Sequence, residues 1–116
     1  MAAYSAWNTA FNRKYARAVA DLYSDNTLCL PATHDVIEGS AGVEKFFTSL
    51  FAMGVTDHKL ELINAREEGN LVYAAAKWSA KSKNTDGVDQ PVGGVATHIF
   101  LRQSDDSLKL NLHIFN

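Results

Sequence analysis

The 116-residue sequence predicts an α+β fold, on three observations. Helical periodicity fills the first part of the chain, strand-like alternation fills the second half, and short turn signals join those strands in succession. Helices set apart from an antiparallel meander make an α+β domain rather than a parallel α/β one. The length suits one domain spanning residues 1–116.

The elements follow in order. Residues 3–23 carry Tyr4, Trp7, Phe11, Ala18 and Leu22 at three- and four-residue steps, which predicts a helix with one apolar stripe. A kink is expected near Asn12, Arg13 and Lys14. TLCLP (27–31) and DVIEG (35–39) read as short strands about a turn, with Pro31 at a strand end because it cannot donate to a ladder. Ser40 is the expected N-cap of a second helix, with Val43, Phe46, Phe47, Leu50 and Phe51 on its apolar face and Gly54 at its C-terminal end. Four strands follow: 58–68, 71–83 after Gly69–Asn70, 91–103 after a polar stretch, and 108–116 after SDDS.

The strand faces carry information. Leu108, Leu110, Leu112 and Ile114 alternate with Lys109, Asn111, His113 and Phe115. On the strand before, Val95, Thr97, Ile99 and Leu101 alternate with Gly94, Ala96, His98 and Phe100. A sheet apolar on both faces needs cover on both. The helices can cover one, so the other is expected to meet a second copy of the chain.

Composition narrows the function. The formal net charge is −2, with the eleven Lys and Arg scattered, so no nucleic-acid footprint is expected. The only cysteine, Cys29, rules out an internal disulfide and a cysteine-based zinc site. The first residues lack the pattern of a secretory signal, and no apolar run approaches the roughly 18 residues of a membrane span. A soluble cytoplasmic protein is expected.

The run WNTAFNRKYARAVADLYSDNTLCLP, then IEGSAGVEKFF, then the meander ending in LHIFN, resembles the SnoaL-like and ketosteroid isomerase-like branch of the nuclear transport factor two-like superfamily. The resemblance covers essentially the whole chain. It implies a cystatin-like cone, in which a strongly curved antiparallel sheet wraps around the N-terminal helices and encloses a pocket. It also implies a homodimer through the outer sheet face. Members often have Gly-Asp where this chain has Lys14–Tyr15, which calls the break after helix one into question.

The superfamily spans isomerases, cyclases, hydrolases and inactive binding modules, so residues decide. Matched to the ketosteroid isomerases, the general-base position is Leu30, the oxyanion-tyrosine position is Trp7 and the second oxyanion donor is His98, or Thr97 with a one-residue gap. Leu30 cannot accept a proton, so that mechanism does not carry over. The pocket-facing set has no carboxylate either, which leaves the Asp–Arg–Asp scheme of the epoxide hydrolases without support.

The same register turns Trp7, Phe11, Ala76, Trp78, Phe100, Asn111 and Phe115 toward the pocket as ligand-binding candidates, with His98 and His113 as catalytic candidates. Histidine can donate, accept or shuttle a proton near neutral pH, and a pair on adjacent strands can also serve as plain hydrogen-bonded filler. Two histidines are too few for a catalytic zinc, so no metal and no cofactor is expected. His34, Asp35, Asp86 and Asp105 read as turn residues, and His58 as an exposed strand opener. Two functions stay open: an isomerase, cyclase or hydrolase acting on a small hydrophobic, carbonyl-bearing ligand, or a non-catalytic ligand-binding or oligomerisation module.

Overall fold

A computed structural model describes all 116 residues. Helix α1 (Ala2–Asn12) is followed by a short α2 (Ala16–Ala20), then β1 (Tyr23–Leu30), β2 (Ile37–Glu38), α3 (Gly39–Ala52), β3 (Thr56–Glu68), β4 (Leu71–Lys83), β5 (Asp89–Arg102) and β6 (Leu108–Phe115). The six strands form one sheet in the order β2-β1-β6-β5-β4-β3. The helices pack on its inner face, in the cystatin-like α+β arrangement.

Alanine-rich α1 buries Tyr4, Trp7 and Phe11, spaced three and four residues apart on one stripe. The helix expected over 3–23 does not run through. Lys14 takes a left-handed conformation (φ 57°), and the chain restarts as α2, burying Val19 and Ala20 in place of Ala18 and Leu22. The break is therefore present without a glycine. It frees Tyr23 to open β1 rather than close a helix. Glu38, not Ser40, occupies the N-cap of α3, and Ser40 lies inside the helix. Gly54 ends that region in the left-handed region (φ 84°), as its position implied.

The antiparallel meander β3-β4-β5-β6 forms as expected, but β6 then pairs in parallel with β1. That contact joins distant segments and has no local signature in the sequence. The β4–β5 ladder is unbroken from Leu71↔Leu101 to Lys83↔Asp89. At roughly 3.4 Å per residue, thirteen-residue strands are about 44 Å long, which accounts for a longest dimension of 48 Å. Beyond Leu60, β3 is exposed to its end.

One predicted face needs correction. The β5–β6 register shifts between Ile99 and Phe100, which pair with Leu112 and Leu110, so Asn111 is the extra residue of a bulge. The set Leu108, Leu110, Leu112 and Ile114 therefore does not share one outer face. Leu110 is 2% exposed in the core, whereas Ile114 is 41% exposed outside.

Candidate functional site

His98 on β5 and His113 on β6 are direct cross-strand partners, with ring centroids 4.5 Å apart and both rings buried. Strict alternation of side chains puts Ala74, Ala76, Ala96 and Phe100 on the same inner face. Next to the histidines lies a cavity of about 230 Å³ whose walls include Trp7, Phe11, Trp78, Phe115, His98 and His113. Three other candidates lie elsewhere. Ala76 is sealed in the core, and Phe100 borders a second cavity of about 440 Å³. Asn111 lines neither cavity; the bulge turns it away, and Ser24 Oγ donates to its Oδ1 at 2.9 Å.

His58 corrects the sequence reading. It is 8% exposed, lines the first cavity and lies 4.6 Å from the Trp7 ring and 6.0 Å, nearly parallel, from Trp78. Helix α1 holds it in place. Asn12 Nδ2 donates to the His58 carbonyl at 3.0 Å, and the His58 amide donates to Asn12 Oδ1 at 2.8 Å. Asn8, one turn earlier, places Oδ1 2.8 Å from His58 Nδ1. The signal was available, because Asn8 and Asn12 are four residues apart and His58 shares strand parity with the apolar Leu60.

Each histidine is fixed at Nδ1 by a different neighbour, and the neighbours decide where the proton sits. In this arrangement Asn8 Oδ1 accepts from the Nδ1–H of His58, which leaves a lone pair at Nε2. Tyr23 Oη accepts from Trp7 Nε1 at 3.1 Å and lies 2.8 Å from His113 Nδ1. The Tyr23 hydroxyl proton therefore points to Nδ1, leaving N–H at Nε2 of His113. Tyr4 Oη stands 2.8 Å from His98 Nδ1. A phenol donates better than an imidazole N–H and an imidazole nitrogen accepts better than a phenol, so His98 also carries its proton on Nε2. None of the three Nε2 atoms has a hydrogen bond within the protein, yet Thr27 Oγ1 is the sole sealed side-chain polar atom without a partner. The three Nε2 atoms thus reach open volume.

Burial keeps the site uncharged at neutral pH. Desolvation lowers His58 to about 4, with a smaller contribution from His98, and lowers His98 to about 4. Desolvation, then His98 and His58, hold His113 well below its ordinary value. Tyr4 and Cys29 are pushed up to about 12 by burial, and Tyr23 rises well above 10 for the same reason. Leu30 pairs with Ile114 across β1 and β6; the preceding residue, Cys29, turns inward, 3.9 Å from His113 Nδ1, as a protonated thiol. No group of three or more His, Cys, Asp or Glu side chains is arranged to hold a metal ion.

The Trp78 wall is held from behind. Trp78 Nε1 donates to the Asn116 carbonyl at 2.9 Å, and Asn116 exchanges two hydrogen bonds with Val95. A Cβ at Gly94 would collide with the Asn116 carbonyl, so glycine is what admits this approach.

The sequence pattern of the SnoaL-like domain matches residues 4–106. A ketosteroid isomerase-like protein from Erwinia carotovora atroseptica SCRI1043 superposes with a TM-score of 0.86 at 20% identity, covering 98% of this chain and 89% of that one. A nuclear transport factor 2-like superfamily protein from Salmonella enterica serovar Typhimurium gives 0.80 at 12% identity, over 99% and 85%. A nuclear transport factor 2-like protein with a cystatin-like fold from Novosphingobium aromaticivorans gives 0.77 at 13%, over 98% and 76%. At such identities the likeness establishes the fold. No curated protein matches the chain.

Proposed function

The chain belongs to the SnoaL-like domain family, and from that premise we propose that it binds a small, mostly apolar carbonyl compound and moves a proton on it. The division of roles among the three Nε2 atoms carries this reading: two donors and one acceptor border one apolar cavity. The carbonyl oxygen sits between His98 and His113 and accepts their N–H groups. His58 Nε2 takes a proton from the adjacent carbon, and the C–H electron pair becomes an enolate held by those donors. The proton then returns to another carbon of the conjugated unit, giving an isomer with no further reactant. Uncharged donors aimed at developing charge in a dry site are efficient, because they need no reorganisation during the reaction. Trp7, Phe11, Trp78 and Phe115 form the walls. The volume lies below the roughly 300 Å³ at which drug-sized pockets begin, so the group bound there is small.

The test uses cyclohex-3-enone as probe, followed by the absorbance of its conjugated isomer. Turnover above buffer that falls about 100-fold or more in His58→Gln is expected. A wild-type protein that neither turns over nor binds the enone sinks the reading. Binding without turnover leaves a ligand-binding module, a reading favoured by one observation: no carboxylate lines the cavity. As part of the same proposal, a second copy of the chain covers the outer sheet face around Tyr73, Val95 and Ile114. Buried, unpaired Cys29 suits a reducing compartment such as the cytoplasm.

A further inference from the structure

The second cavity touches the first through only three shared lining residues, Trp7, Leu60 and His98. Two of these are pinned. Trp7 donates to Tyr23 Oη and stacks on Phe11 with centroids 5.1 Å apart. His98 is held by Tyr4 Oη. Leu60 makes no side-chain hydrogen bond and is only partly buried. It lies on the edge strand β3, between two register shifts, one at Thr56/Lys59 and one at Leu62/Asn64. Bulges loosen a ladder where they occur, so the stretch bearing Leu60 is bounded by two points of local give. Beyond it, Ala3, Ala6, Phe100, Leu108 and Leu110 give the second cavity apolar walls, and the Arg102–Glu67 pair, 2.8 Å apart, stands at its polar edge. The small residues on α1 leave this space open.

We propose that the two cavities form one binding channel divided by the Leu60 side chain, and that the ligand is an elongated apolar carbonyl compound whose tail passes Leu60 into the second cavity. The proposal rests on the carbonyl site inferred above and adds the shape of its ligand. The carbonyl stays with His98 and His113, while an alkyl chain lies against the sheet under the N-terminal half of α1. Leu60 sets the length that binds, because its side chain is the movable part of the partition.

The test measures the affinity of methyl ketones from 2-butanone to 2-undecanone by quenching of tryptophan fluorescence, with 2-methyl-1-alkenes of matching length as probes that replace the carbonyl oxygen by a methylene. Burial of each further methylene at ~0.8 kcal/mol corresponds to about a fourfold gain in affinity. Wild type is expected to keep gaining past the length that fills the first cavity. Leu60→Trp should stop the gain there, and Leu60→Ala should preserve it. Ala3→Phe fills the second cavity from the helix without touching Leu60, and should also stop the gain. Length dependence that survives both Leu60→Trp and Ala3→Phe, or that is absent from wild type, overturns the channel. Alkenes that bind as well as ketones, with the same length dependence, would remove the carbonyl site while leaving the channel intact.

Discussion

His98 and Thr97 are neighbours on β5, yet they answer to different physics. His98 is 2% exposed, accepts from Tyr4 and borders the cavity, whereas Thr97 is exposed on the outer face in the row with Ile114. The same contrast repeats on β6 between His113 and Ile114. Alternation lets one backbone serve two environments. Inside, every side-chain polar atom except Thr27 Oγ1 finds a partner or a cavity, so identities are coupled across helix, strand and hydroxyl. Outside, a side chain answers to water or to a partner surface.

The comparison breaks most directly by paired substitution. His98→Ala is expected to lower enone turnover about 100-fold or more, while Thr97→Ala leaves it within twofold. Equal losses from both would mean that the inner face has no special role. Next comes acid stability. His58 and His98 are depressed to about 4 in the folded state against 6.5 unfolded, so between these values the unfolded chain binds more protons. Stability is therefore full above about pH 6.5 and falls as pH drops toward 4, by roughly 3 kcal/mol per histidine. Urea midpoints at pH 7, 6 and 5 test this, and a flat profile would show that the inner histidines are solvated.

A smaller effect is expected from Tyr23→Phe. It leaves both Trp7 Nε1 and His113 Nδ1 without a partner, at a cost of about 1–3 kcal/mol. Nitrogen chemical shifts should show His113 losing its single tautomer; an unchanged spectrum would refute the hydroxyl's role. Smallest of all, Ile114→Lys should change the stability of the isolated chain by less than about 0.5 kcal/mol. Sedimentation should nonetheless show a wild-type dimer converted to monomer. A wild-type monomer would remove the second copy from the outer face.

What the sequence disclosed follows the same division. The inner set Ala74, Ala76, Trp78, Ala96, His98 and Phe100 was legible because β4 and β5 pair without interruption, so simple alternation holds. Alternation failed at Asn111, where one bulged residue reverses the faces of Leu108 and Leu110. The hydroxyl partners were not legible either. Tyr4 and His98 are 94 residues apart, and Tyr23 and His113 are 90, so no local period links them. Tyr23 also stands at the end of the helix expected over 3–23, which is interrupted at Lys14, and it opens β1 instead. His58, expected as an exposed strand opener, is instead buried and clamped by Asn8 and Asn12, which stand four residues apart on α1.

Helix α1 reaches all three histidines: Tyr4 to His98, Asn8 to His58, and Trp7 through Tyr23 to His113. Its docking therefore acts as a lock on titration. With α1 seated, burial holds the three imidazoles below the ordinary histidine range; with α1 lifted away, water reaches the ring atoms it had covered and proton binding becomes easier. Undocking of this one helix is therefore coupled to proton uptake. The helix can thus be followed by a pH electrode, with no label on the chain.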